Sequence, residues 1–251
     1  MMEESTRFRI ATYNIHKCQG FDRKTSPERI IAVIRALGAD ILCLQEVIDA
    51  PLGTRTYDQA GEIARAFPEY TCCFGTNRPL RGGNYGNMTL TRFPLRHWRN
   101  YDLTHRKREE RGVLQTDIEI GDCQTLHVFN VHLGTSYLER RSQATRLLSS
   151  DVLGQAELTN PRLVVGDFNE WTRGLTTKLL KKSFKTFQPQ HGLQFPRTFP
   201  GMLPLVSLDY YYYEPPLELE EARLVRTRRA LVASDHLPLI AEFSVGKGAQ
   251  D

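Results

Sequence analysis

At 251 residues, 40% hydrophobic and 25% charged, the chain has the balance of a globular protein, and its net charge of +4 suits an anionic substrate without demanding one. No apolar run approaches the roughly 18 residues of a membrane span, and the N-terminal stretch MMEESTRFRI has acids where a secretory signal has its apolar core. The five cysteines are odd in number and none has zinc-ligand spacing, which argues against a disulfide framework.

The expectation is a soluble, cytoplasmic, monomeric protein with reduced thiols. No linker, low-complexity tract or repeat divides the chain, so a single domain over 1–251 is expected, with its core over about 8–245.

The stretch FRIATYNIH alternates as a strand does. TSPERIIAVIRALGAD reads as a helix: Thr25 or Ser26 caps it, Pro27 suits its first turn, Ile30, Val33, Ile34 and Leu37 make its apolar stripe, and Gly38 ends it. DILCLQEV is a nearly continuous apolar strand of the kind buried on both faces. Residues 58–67 read as helix, with Ile63, Ala64 and Phe67 on one side. YTCCFG and NMTLTRFPL are predicted strands, with RPLRGGNYGN as a flexible basic loop between them.

VLQTDIEI and QTLHVFNVHL alternate well and join through GDC, where Gly121 suits a tight hairpin. SYLERRSQATRLLSSDVL is a predicted helix with Leu138, Leu147 and Leu148 at apolar positions. RLVVGDFN is a strand and LTTKLLKKSF a short basic helix, and the last strands are SLDYYYY and LPLIAEFSV. Hairpins mixed with strand–helix–strand units point to an α/β protein.

Several apolar strands end in polar residues. TYNIH ends on Asn14, LCLQEV on Glu46, and FNVHLG carries Asn130 and His132. VVGDFN ends on Asp167 and Asn169, two apart and so on one face of an extended chain. Asp209 opens SLDYYYY, and Asp235 and His236 precede LPLIAEF. Each alone has an ordinary explanation as a turn, a cap or a satisfied core residue. Together, carboxylates, amides and histidines at strand ends form a site, since strand ends of one sheet lie together.

The chemistry such a set supports is phosphoester hydrolysis. Hard carboxylate oxygens suit Mg²⁺ or Mn²⁺, amides and imidazoles donate to phosphate oxygens, and a histidine held by a carboxylate serves as acid or base.

ATYNIHKCQG, ADILCLQEV, GNMTLTRFPL, RGVLQTDI, FNVHLG, VVGDFNEW, RTFP, LDYYYY and SDHLPL, in this order and spacing, resemble the endonuclease/exonuclease/phosphatase superfamily, the DNase I-like fold, and most of all its small stand-alone bacterial members. The resemblance implies a four-layer α/β sandwich of two facing mixed sheets with outer helices. It also implies Glu46 as the main metal carboxylate with Asn14 beside it, and Asp235 completing the metal side. Asp167 would orient or activate the attacking water, and Asn169 and Arg111 would contact the phosphate. His132 would stabilise the phosphoryl oxygens or assist the leaving group, and His236, held by Asp209, would be the second catalytic histidine.

The chain departs from the family's pattern at Tyr210, where a basic residue is common, and in lacking the long insertions with which larger relatives grip duplex DNA. The expected activity is a metal-dependent phosphodiesterase acting on nucleic acid or a phospholipid headgroup. A phosphoinositide or sphingolipid hydrolase working at a membrane and a catalytically silent binding module are the alternatives. Trp171 is placed to stack on a base or to pack on the sheet edge, the YYYY run should alternate between core and surface, and GMLPLV serves either as core or as an exposed apolar loop.

Overall fold

The structure, a computed structural model, describes residues 6–50, 58–80, 82–121, 124–158, 161–171, 174–187 and 196–246. Among them, β1 (Thr6–Asn14), β2 (Ile41–Asp49), β3 (Thr71–Leu80), β4 (Gly83–Thr91), β11 (Leu217–Leu224) and β12 (Leu239–Val245) form one six-stranded sheet in the order β11-β12-β1-β2-β4-β3. A second six-stranded sheet runs β5-β6-β7-β8-β10-β9, from β5 (Leu95–Asp102), β6 (Gly112–Ile120), β7 (Gln124–His132), β8 (Arg162–Asp167), β9 (Lys185–Thr186) and β10 (Asp209–Tyr213). Each sheet is mixed: β1 and β2 pair in parallel, as do β7 and β8, and the remaining pairs are antiparallel.

Alternation along β1 explains the layering. Phe8 and Ile10 point into the core between the sheets, where Ile41, Cys43, Val128, Leu163 and Tyr211 meet them. Ala11 and Tyr13 point the other way, under α1 (Pro27–Leu37), α2 (Gln59–Ala66) and α5 (Arg228–Ala233). The outer face of the second sheet, with Phe129, Val131 and Val164, is covered by α3 (Tyr137–Leu147) and α4 (Leu175–Leu180). Strands buried on both faces read as continuous apolar runs, as β2 and β8 do. The result is the four-layer sandwich expected. In α1 the Ser26 hydroxyl accepts from the Arg29 amide, Pro27 opens the first turn and Gly38 ends it at φ 59°.

Other local expectations fail. RPLRGGNYGN is not a loop, since β3 runs to Leu80 and β4 begins at Gly83; Arg81 lies outside the described residues. Helix α3 stops at Leu147 with Leu138 facing solvent, and α4 stops at Leu180. The four tyrosines alternate between two cores rather than core and surface: Tyr211 and Tyr213 pack between the sheets, Tyr210 and Tyr212 against Phe168 and Leu180. Asp122 and Cys123 of the GDC hairpin lie outside the described residues.

Candidate active site

The site follows from strand direction. β1 and β2 are parallel and in register at Asn14 and Gln45, so Asn14 and Glu46 reach the same sheet edge. β7 and β8 are parallel and in register at His132 and Asp167, and antiparallel β10 brings Asp209 opposite Asp167. Gly166, at φ 141°, lets β8 approach β7 so closely that a Cβ there would meet the Val131 carbonyl oxygen at 2.1 Å. Beneath this edge the sheets are bolted by buried amides. Gln45 donates to Asn130 Oδ1 at 2.8 Å, and Asn130 Nδ2 donates to the Leu44 and Met88 carbonyls, both at 3.1 Å.

Asp167 is the centre. It is 1% exposed and receives hydrogen bonds from Asn14 Nδ2 at 3.0 Å and from the Asn169 amide at 2.8 Å. The Nε2 atoms of His132 and His236 lie 3.6 and 3.7 Å from its Oδ2. Burial pushes its carboxyl up to about 7, with the Asp209 charge adding to the rise and the His236 charge opposing it. The two histidines are driven apart in protonation. Burial and then Arg111 hold His132 well below its ordinary value, so its contact with Asp167 is not an ion pair near neutral pH. Burial would lower His236 too, but Asp209, bonded to Nδ1 at 3.1 Å, and Asp167 raise it to about 10.

Asn169 does not share a strand face with Asp167. The strand ends at Asp167, and Asn169 takes a left-handed φ of 49°, with Nδ2 donating to the Leu133 carbonyl at 2.9 Å. Arg111 is buried, its Nη1 3.0 and 3.2 Å from the His132 ring nitrogens and its Nη2 on Glu109, which also holds Arg78. Exposed Arg106, Lys107 and Arg108 extend this basic end.

At the metal side, Glu46 stays ionised: burial would raise its carboxyl, but the paired Lys17 ammonium holds it below the ordinary carboxylate range, and His132 adds to this only when protonated. Asn14 Nδ2 donates to it at 3.4 Å, and the Lys17 ammonium is ion-paired with Oε2. Asp235 lies 3.6 Å from His16 Nδ1, next to Ser234, whose hydroxyl donates to the Asn14 carbonyl at 2.8 Å, and no group of three or more acids, histidines or cysteines poised for a metal occurs among the described residues. A single enclosed, ionised carboxylate that already carries a cation fits Mg²⁺ or Mn²⁺ bound through one or two carboxylates and water, and does not fit a cage of acids. Glu46 would hold such an ion, and Asn14 would join it only with its amide rotated, since its Oδ1 accepts from the His16 amide at 3.0 Å while Nδ2 faces Glu46 and Asp167.

The opposite bank is apolar. Phe199 packs 5.1 Å from the His236 ring and 5.6 Å from Trp171. Its loop continues through Met202, Leu203 and Leu205, which are exposed rather than core. Trp171 thus sits against Phe199 at the rim, 53% exposed. Periodicity gave no warning of Lys17, Glu109 or Phe199; the one cue to Lys17 was its place three residues after Asn14.

The chain matches the model of the endonuclease/exonuclease/phosphatase family over residues 11–236. It is 32% identical over 247 residues to YbhP of Escherichia coli (strain K12), across 94% of this chain and 96% of that one. Among solved structures, it resembles an endonuclease/exonuclease/phosphatase from Beutenbergia cavernae DSM 12333, with a TM-score of 0.80 at 20% identity over 96% of this chain and 72% of that one. It also resembles the human Nocturnin catalytic domain, with a TM-score of 0.73 at 22% identity over 96% of this chain and 94% of that one. A Bacteroides thetaiotaomicron VPI-5482 mannosyl-6-phosphatase matches with a TM-score of 0.74 at 16% identity, over 94% of this chain and 99% of that one. With its strand ends gathered on Asp167 and the family model spanning 11–236, this chain belongs to the endonuclease/exonuclease/phosphatase family, whose members are phosphoester hydrolases.

Proposed function

We propose that the protein is a divalent-metal-dependent phosphodiesterase that drives in-line attack of water on phosphorus. The observation that carries this reading is Asp167, a buried carboxyl raised to about 7 and flanked by two imidazoles of opposite protonation. Such separation of neighbouring titrating groups is how acid and base roles are divided at neutral pH.

In this reading Asp167 accepts the water's proton as the water oxygen bonds to phosphorus and the ester oxygen departs. The His236 imidazolium, oriented by Asp209, donates to a phosphoryl oxygen. Arg111 holds the phosphate beside His132, which is neutral and aligned by Asp167. Asn169 contributes its polar end to the same phosphate. Glu46, with Asn14 beside it, would hold Mg²⁺ or Mn²⁺, which would supply positive charge to the phosphoryl and leaving oxygens.

On the bank beside His236, the exposed aliphatic Met202, Leu203 and Leu205 suit a phospholipid, while the exposed Trp171 ring gives a nucleic-acid base a stacking face. The neighbour named as a mannosyl-6-phosphatase makes a phosphomonoester the competing substrate. A panel of plasmid DNA, bis-p-nitrophenyl phosphate, p-nitrophenyl phosphate and phospholipid vesicles, each with Mg²⁺ or EDTA, tests both points. The reading requires Mg²⁺-dependent cleavage of a diester. Monoester cleavage alone would replace it, and no turnover on any arm would favour a binding module.

A further inference from the structure

The chain spends backbone strain to deliver one lysine. His16, Lys17 and Cys18 are three successive non-glycine residues in the left-handed region, at φ 46°, 56° and 56°. L-residues rarely adopt that region even singly, and such strain persists only where the surroundings over-determine it. They do so here. Gln59, at the start of α2, donates to the Lys17 carbonyl at 2.6 Å, and the Cys18 side chain is fully buried. The Cys18 and Gln19 amides close the turn on the Ile15 and His16 carbonyls at 2.8 and 2.9 Å. The product of this rigid turn is an ammonium seated on Glu46 and 5.9 Å from the Tyr85 ring centroid. Lys17 remains about one-third exposed, so its flexible stem has solvent to move into.

We infer that Lys17 is a built-in counter-cation: it holds the metal's place on Glu46, is displaced when the divalent ion binds, and is then free to take a substrate phosphate oxygen. This rests on the metal-dependent reading above. Physically, a largely enclosed carboxylate such as Glu46, 16% exposed, is costly without a partner, and an ammonium supplies one until the metal arrives. Displacement then couples metal binding to the appearance of a free positive charge beside the phosphate.

Two measurements test it. Calorimetric titration with Mn²⁺ compares wild type, Lys17→Met, Glu46→Gln and Arg78→Met. The last removes an equal charge that also faces Tyr85 but touches Glu109 instead of Glu46. Lys17→Met should bind Mn²⁺ about two- to fivefold tighter, the worth of a part-exposed ion pair, and Arg78→Met should not. Acetic anhydride labelling of the wild-type protein, read by mass spectrometry, should show Lys17 more reactive with Mg²⁺ than with EDTA. Unchanged or weaker binding by Lys17→Met, equal tightening by Arg78→Met, or Mg²⁺-independent labelling would overturn the inference. Loss of the broader reading is distinguishable: wild type would then show no Mn²⁺ binding that Glu46→Gln abolishes.

Discussion

His236 Nδ1 lies 3.1 Å from Asp209 Oδ2, a contact that joins the residue opening β10 in one sheet to the approach of β12 in the other. It fixes which face of the imidazole looks inward, because Nε2 is left 3.7 Å from Asp167. The orientation of the reacting ring is thus set across the seam between the sheets.

Asp209→Ala and His236→Ala are therefore expected to impair one step. Each should lower turnover by roughly 10²–10⁴-fold, and the double variant should be little worse than either, because the two act as a unit. Steady-state kinetics of the three proteins decide this. Losses that multiply would mean that Asp209 does not work through His236.

The same pair sets a pH dependence of stability in EDTA. His236 is raised from 6.5 to about 10 in the fold, Asp209 and Asp167 outweighing burial. Its contribution is fully present below about pH 6.5 and is lost as pH rises through about 10. Thermal midpoints should fall across that window in wild type, and the fall should shrink in His236→Gln. Parallel curves would remove the charge assignment.

Asn130 provides the contrast between scaffold and chemistry. Asn130→Leu removes the donor to the Leu44 and Met88 carbonyls between the sheets, while the Gln45 amide keeps Thr12 Oγ1 and the Cys43 carbonyl. Each buried orphan costs about 1–3 kcal/mol, so the midpoint should drop by many degrees in denaturation scans. A midpoint within a degree of wild type would show that the bolt is dispensable.

The site was legible in the sequence where an apolar strand stops on a polar residue: Asn14, His132 and Asp167 end buried strands, and parallel pairing brings such ends together; Glu46 does not end β2, which runs on to Asp49, but sits at a bulge in it with a left-handed φ of 60°. Asn169 was misplaced because the alternation that governs β8 stops at Asp167, and a left-handed residue obeys no strand period. Strand β5 went unseen because it is an edge strand exposed along most of its length, so it has no apolar run. Helix α5, at six residues, is too short to show a period, and the alternating acids of β11 read equally well as a solvated surface. The tyrosine run misled because both faces of β10 are covered, which one strand's composition does not reveal. Lys17 depends on three left-handed residues, which no side-chain pattern announces.

Glu46→Gln keeps the size of the side chain and removes the charge on which a cation rests. Turnover in Mg²⁺ is expected to fall to near background. Calorimetry should show no Mn²⁺ binding at this site. Full activity in excess EDTA, by wild type or variant, would sink the metal assignment.

The central claim is that Asp167 is chemistry and not scaffold. Burial raises its carboxyl to about 7, so its ionised form is a burden on the apo fold above that pH. The decisive measurement takes one preparation of Asp167→Asn and reads its thermal midpoint in EDTA at pH 8 together with its phosphodiesterase rate in Mg²⁺. The account predicts a midpoint equal to or above wild type and a rate lower by roughly 10²–10⁴-fold. A midpoint several degrees lower with a near-normal rate would contradict it.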